Sequence, residues 1–289
     1  MAFLGGDLFV AAAGAVGVSM LLHKRPRRTE ASTLLSYAGA GKSGVSLQDF
    51  QSRSRDHVNR GRILLRRLRT RLTPEADGGD GFPAYVEAAR KEGIDVNDWI
   101  ERDLGWTPAL PVLESLVFPL MNHDAVICEV GVGTGRWSRH LLKRIPNGRL
   151  VLVDRSPWIA RFVRNYFKDD PRVAVSIGDG NTLPIDDAAW ADVIFSQGLF
   201  ITLKLGQVMT YLEAFQKALK PAGVAVFDFI DAETPAGWHF LRREYQRAGS
   251  IFSYHTLGSI VECCSAAGLE AEGTAIVGKS TYLTVRKPI

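Results

Sequence analysis

The sequence has few cysteines: its 289 residues contain only three, and two of these, Cys263 and Cys264, are adjacent. Neither a disulfide framework nor a paired C-x-x-C zinc site can be built from this set, so we expect a reducing compartment and no structural metal. Charged residues make up 23% of the chain and hydrophobic residues 46%, which excludes wholesale disorder and a polytopic membrane protein. A chain of this length can bury a substantial core without covalent staples.

The net charge of +4 is distributed unevenly along the chain. Residues 1–80 contain 13 Lys and Arg against 7 Asp and Glu, whereas residues 81–289 contain 22 against 24. The longer part therefore has no basic footprint for nucleic acid, and we expect no nucleic-acid partner. The excess of basic residues lies in an N-terminal extension.

The extension begins with an apolar stretch, residues 3–22, which is interrupted only by Asp7. A helix of this length would span about 30 Å, the thickness of the bilayer hydrocarbon, and basic residues follow it at 23–28. This pattern predicts a membrane anchor with the rest of the chain on the cytoplasmic side. Because Ala and Gly dominate the stretch, a helix lying on the membrane and a buried or disordered tail stay open. We expect the protein in the cytoplasm, or on the cytoplasmic face of a membrane if residues 3–22 anchor it there.

A second basic segment, residues 53–71, carries eight arginines among leucines. Such a helix could contact anionic lipid or pack its leucines on the next domain. We predict three regions: an anchor or amphipathic segment at 1–28, a linker and basic helix at 29–81, and a folded domain at 82–289. The sequence does not indicate the oligomeric state.

The folded domain alternates strands with helices, which indicates an α/β fold with a mainly parallel sheet and helices on both faces. Two helical segments, 83–104 and 108–121, precede the alternation. The predicted strands are 125–130, 149–153, 173–177, 191–195, 223–229, 270–277 and 281–285.

A glycine-rich turn, Gly131-Val132-Gly133-Thr134-Gly135, follows the first predicted strand and precedes a helix. Glycines there let a ligand approach the backbone at the helix N-terminus, where an anionic group is favoured. The dinucleotide fingerprint has Gly or Ala at its sixth position, where this chain has Arg136. A nicotinamide oxidoreductase is therefore the weaker interpretation.

With its flanking strand, the run Val126 to Gly135 resembles the class I S-adenosylmethionine-dependent methyltransferases. Asp154 ends the second strand, 19 residues after Gly135, and Asp179 follows the third. The resemblance covers residues 108–287 and implies a Rossmann-like seven-stranded mixed sheet, with residues 82–289 as a methyltransferase domain that begins with a helical cover.

The resemblance implies S-adenosylmethionine as the cofactor and no metal. It places Asp154 at the ribose hydroxyls, Asp179 at the adenine amino group and Glu129 near the methionine amino end. Each has a structural alternative, since glycines form ordinary turns and acids at strand ends often cap helices or pair with backbone N–H groups. The cofactor-binding residues that it predicts are Glu129, Gly131, Gly133, Gly135, Asp154, Asp179 and Ser196.

The chemistry, an in-line displacement at a sulfonium methyl, requires proximity and alignment of the acceptor. Ser196-Gln197-Gly198-Leu199 lacks the Asn/Asp-Pro-Pro-aromatic signature of nucleic-acid amino-methyltransferases. His239 and His255 lie in the expected acceptor region, and we predict that one of them is a general base for a hydroxyl acceptor on a small molecule or lipid-linked sugar. Open alternatives are a surface or capping histidine, an amine acceptor on a phospholipid head group or protein, and a catalytically silent binding protein.

Overall fold

The computed structural model describes residues 81–184, 187–247 and 250–289. The predicted anchor at 3–22 and the arginine-rich segment at 53–71 lie outside the described residues. No helix within the described ranges is both long and apolar enough to cross a bilayer.

Two short helices, not one, precede the sheet. Helix α1 is Phe82–Glu92 and helix α2 is Val96–Asp103, so the continuous helix predicted over 83–104 is wrong. The break occurs because Gly93 adopts a left-handed conformation, with φ of 68°, and ends α1. Asp95 then caps α2 by accepting hydrogen bonds from the N–H groups of Asn97 and Asp98. Helix α3, Ala109–Leu116, and a 3-10 turn, Phe118–Leu120, complete this region.

The sheet has seven strands in the order β3-β2-β1-β4-β5-β7-β6. Its first five strands pair in parallel, and β7 runs antiparallel to both β5 and β6, which confirms the predicted Rossmann-like mixed sheet. The strands are β1 Val126–Val130, β2 Arg149–Asp154, β3 Val173–Ile177, β4 Ala191–Ser196, β5 Leu219–Phe229, β6 Glu270–Val277 and β7 Ser280–Arg286.

Helices cover both faces because side chains alternate along each buried strand. Ile127 and Phe195 face the layer that contains α3, α4 Ser138–Arg144 and α5 Pro157–Tyr166. Cys128 and Phe227 face the opposite layer, formed by α6 Leu205–Ala218 and α8 Leu257–Ala266.

Helix α7, Pro235–Glu244, follows β5 and carries His239. It begins at Pro235 because the Thr234 hydroxyl accepts a hydrogen bond from the Gly237 N–H and proline fits the first helical position. Since β1 to β5 are parallel, their carboxyl ends share one edge of the sheet. The glycine turn, Asp154, Asp179 and the start of α7 all follow strands at that edge.

Candidate cofactor and acceptor site

All three glycines of the turn after β1 have positive φ angles: 79° at Gly131, 57° at Gly133 and 80° at Gly135. A side chain would be strained there and would also meet neighbouring groups. A Cβ atom at Gly133 would lie 3.1 Å from the Phe82 ring, and one at Gly135 would lie 2.9 Å from the Phe167 ring. The turn therefore requires glycine for both conformation and packing.

Replacing Gly135 with alanine should destabilise the fold more than the same change at Gly93. Both residues are left-handed, but a Cβ at Gly93 has no atom within 4 Å. We expect Gly93→Ala to cost about 1–2 kcal/mol from backbone strain and Gly135→Ala about 2–4 kcal/mol, because overpacking against Phe167 adds to the strain. Urea unfolding measures both. Equal losses would contradict the packing role of Gly135.

Hydrogen bonds join the helices that precede the sheet to the glycine turn. The Thr134 hydroxyl donates to the Asn97 side-chain oxygen at 2.6 Å, and the Asn97 side-chain amide donates to the Thr134 carbonyl at 3.2 Å. Both residues are buried. Together with Phe82 above Gly133, this pair places α1 and α2 as a cover over the turn.

Asp154, at the end of β2, lies against the same turn. One carboxylate oxygen accepts from the Ser156 N–H at 2.9 Å, and the other receives a long bond, 3.4 Å, from the Gly133 N–H. The residue is half-buried. A carboxylate held in this position can accept hydrogen bonds from a ligand diol next to the glycine turn.

Glu129 is a buried acid in β1, only 1% exposed. It accepts one hydrogen bond from the Ser138 hydroxyl at 2.6 Å. Burial raises the pKa of its carboxyl to about 8, an effect that the Ser138 bond and the Arg136 charge partly oppose. Such a carboxyl fits a ligand ammonium, because a cation would restore the charged form.

Asp179 and Ser196 form local hydrogen bonds in this structure. Asp179 is exposed, and one of its oxygens accepts from the N–H groups of Asn181 and Thr182, both at 2.8 Å, which lowers its pKa. Ser196 is buried, and its hydroxyl donates to the Val130 carbonyl at 2.9 Å, which ties the ends of β1 and β4 together. Their direct contacts with a cofactor stay predictions.

The two histidines have different environments. The His255 Nε2 atom lies 3.0 Å from the Leu203 carbonyl, which can only accept, so we assign the ring proton to Nε2. Burial lowers the pKa of this ring, which is therefore neutral near pH 7. His255 borders an open cavity of about 540 Å³ that is also lined by Lys204, Phe252 and Tyr254. His239 is exposed on α7 and does not line this cavity.

A set of neighbouring polar residues that was not predicted from the sequence lies at the ends of β4, β5 and β7. We call it the β5–β7 cluster. Asp228, fully buried, accepts from the Gly198 N–H at 2.6 Å and the Ser280 hydroxyl at 2.8 Å. The feature of the sequence that could have indicated this cluster is Asp228, an acid near the end of an otherwise apolar strand. The cluster consists of Gln197, Asp228, Lys279, Ser280 and Tyr282.

Comparison with known proteins agrees with this geometry. Residues 127–223 match the family model described as a methyltransferase domain. Over 152 residues the chain is 28% identical to a malonyl-[acyl-carrier protein] O-methyltransferase from Xylella fastidiosa, which covers 53% of this chain and 50% of that protein. The chain thus spans about half the length of this curated relative.

Solved structures share the fold. A protein from Haloferax volcanii, solved in complex with the Trm112 methyltransferase activator, has 19% identity and a TM-score of 0.55, over 73% of this chain and 99% of that one. An S-adenosylmethionine-dependent methyltransferase from Aquifex aeolicus has 17% identity and a TM-score of 0.50, over 62% and 89%. The comparisons therefore identify residues 127–223 as a methyltransferase domain, and the chain has the fold of the class I S-adenosylmethionine-dependent methyltransferases.

Proposed function

We propose that this chain transfers a methyl group from S-adenosylmethionine to an oxygen atom of a small-molecule, lipid-linked or carrier-linked acceptor. The observation that carries this proposal is the joint placement of Asp154 and the buried Glu129 around a glycine turn that tolerates no side chain. The oxygen acceptor is supported by the relative whose name includes O-methyltransferase and malonyl-[acyl-carrier protein].

The residues present fit the methyl donor at three points. Asp154 would accept hydrogen bonds from the ribose hydroxyls, and the ionised Glu129 would pair with the methionine ammonium. Asp179 would accept a hydrogen bond from the adenine amino group, and Ser196 would position the end of β4 beside the methyl group of the donor. When bound, the donor supplies a methyl carbon that is activated by a positive sulfur. The remaining tasks of the chain are alignment and exclusion of water.

The cover formed by α1 and α2 supports the exclusion of water. Phe82 packs edge-on against Tyr85 and Trp106, with ring centroids 6.0 and 6.4 Å apart, and Tyr85 stacks on Trp99 at 5.9 Å. Phe82 lies directly against Gly133, and the other rings extend this apolar layer away from the turn. A donor seated on the glycine turn would therefore be shielded on that side.

The nature of the acceptor oxygen decides whether a base is needed. A hydroxyl loses a proton during transfer, and a neutral histidine with an accessible lone pair could take it. Of the two predicted bases, His255 has the neutral ring and borders a cavity, whereas His239 is exposed. A carboxylate has no proton to lose and would need neither histidine.

Calorimetry with the full-length protein tests the donor. We expect S-adenosylmethionine and its demethylated product to bind in the micromolar range common for small substrates, and NAD to give no heat. Binding of NAD alone would contradict the proposal. Donor binding without label transfer from tritiated S-adenosylmethionine to any component of a cell extract would indicate a silent binding protein.

A further inference from the structure

Lys279 is a cation that the proposed donor site does not use. It lies in the tight turn between β6 and β7 and is half-buried, with its Nζ atom 5.5 Å from the centre of the Phe240 ring. Burial lowers the pKa of its ammonium, and the charges of Asp228 and Glu244 partly oppose this shift. Within the described residues, no carboxylate approaches it to ion-pair distance.

The nearby acids already have other partners. Glu244 pairs with Arg243 at 3.0 Å and with Arg247 at 2.9 Å. Asp228 accepts from the Gly198 N–H and the Ser280 hydroxyl. The ammonium of Lys279 therefore lies within the field of these acids but forms no ion pair with either of them.

Tyr282 provides a second group that needs a partner. Its side chain is 2% exposed, and its hydroxyl forms no hydrogen bond with a described residue, although the Gln197 side chain is near enough to lower its pKa. An unsatisfied buried hydroxyl costs about 1–3 kcal/mol. Tyr282 stands opposite Asp228 in the β5–β7 pairing, and both it and Lys279 respond to the Asp228 charge. A hydroxyl donor and a cation thus belong to one cluster.

The chain connects this cluster directly to the glycine turn. Gly198 donates to Asp228, and its neighbour Leu199 lies 3.2 Å from the position of a Cβ atom at Gly131. Arg136, at the other end of the turn, influences the pKa of both Glu129 and Tyr282. The β5–β7 cluster therefore adjoins the proposed donor site on the face of the sheet that carries Glu129.

We infer that Lys279 and Tyr282, with Gln197, form an acceptor subsite that selects a carboxylate and presents its oxygen to the methyl group. This inference rests on the proposed function. An ammonium and a hydroxyl donor match a carboxylate, which only accepts hydrogen bonds and carries the opposite charge. An uncharged hydroxyl acceptor would form no ion pair with Lys279.

The resulting transfer balances without a base. A lone pair of the carboxylate oxygen forms the new C–O bond as the C–S bond breaks, and the sulfur keeps the bonding pair. A cation and an anion become a neutral thioether and a neutral methyl ester, and no proton is released. The transfer therefore needs no general base, which for a hydroxyl acceptor would contribute about 10²–10⁴-fold to turnover.

The test uses the full-length protein, tritiated S-adenosylmethionine and an unfractionated extract of source cells from which the gene has been deleted. Alkali releases volatile tritiated methanol from methyl esters, but not from ethers or methylamines. We expect alkali-volatile label that falls at least tenfold in Lys279→Met and within about fivefold of wild type in Lys279→Arg. The control Lys143→Met, at an exposed position, should equal wild type. Calorimetry should show unchanged donor binding in all three variants.

Tyr282→Phe separates recognition from folding. Removing an unsatisfied hydroxyl should keep or raise the melting temperature, while label transfer falls about three- to thirtyfold. Alkali-stable label would overturn the carboxylate inference and leave the proposed function standing. Alkali-volatile label that is unchanged in Lys279→Met would overturn the role of Lys279. Absence of any transfer would contradict the proposed function and, with it, this inference.

Discussion

Asp154→Ala should lower the affinity for S-adenosylmethionine by about 30- to 1000-fold at pH 7. The change removes a carboxylate that would accept two hydrogen bonds from the ribose, and bonds to charged groups contribute about 1.5–3 kcal/mol each. Because such contributions are not fully additive, we expect a total of about 2–4 kcal/mol, with tenfold per 1.4 kcal/mol. Isothermal titration calorimetry measures the loss.

One further variant separates the charge of Asp154 from its role in local structure, and a variant elsewhere in the chain serves as the control. Asp154 also accepts from the Ser156 N–H at 2.9 Å, so alanine removes a contact that helps to shape the turn. Asp154→Asn keeps an acceptor for that N–H but removes the charge, and should lose nearly as much affinity as alanine. Asp169→Ala removes an exposed carboxylate just after α5 and should bind like wild type. If Asp154→Asn retains wild-type affinity, the ribose assignment is wrong.

The sheet could be predicted because its strands are marked by strong local signals. The strands 173–177 and 270–277 agree with the observed β3 and β6, and the turn after β1 is marked by three glycines, all with positive φ angles. The continuous helix over 83–104 failed for both a local and a tertiary reason. Its apolar spacing persists through Gly93, yet the Asp95 cap and the Asn97–Thr134 pair fix α2 separately on the turn.

The candidate site was predictable where residues follow one another along the chain. Glu129, the glycines and Asp154 belong to adjacent segments, so the motif that carries the family resemblance includes them and implies their roles. The β5–β7 cluster joins residues from β4, β5 and β7, and Tyr282 meets Asp228 only through antiparallel pairing. Sequence reasoning also could not show that the Ser196 hydroxyl is bonded to Val130 or that His255 is bonded to Leu203, because both partners are backbone carbonyls set by the fold.

Donor binding should release a proton through Glu129. With its pKa raised to about 8 by burial, this carboxyl is mostly protonated in the free protein at pH 7. Pairing with the donor ammonium favours the charged form, so binding should release roughly 0.9 proton per donor. Calorimetry at pH 7 in buffers of different ionisation enthalpy measures this number. Glu114→Gln, at an exposed position in α3, should release the same number as wild type.

Glu129→Gln should abolish this proton release and weaken donor binding by about 15- to 400-fold at pH 7. Leaving a buried charge without its partner costs about 3–5 kcal/mol, of which about 1.4 kcal/mol is offset because glutamine needs no deprotonation. The sign of the pH dependence follows from the raised pKa. Between pH 6 and 7 the ionised fraction of Glu129 increases roughly tenfold, while the donor amine, with a pKa near 8, stays charged. Wild-type affinity should therefore rise roughly tenfold over that interval and the affinity of Glu129→Gln should stay flat; a flat wild-type profile would show that Glu129 does not hold the ammonium.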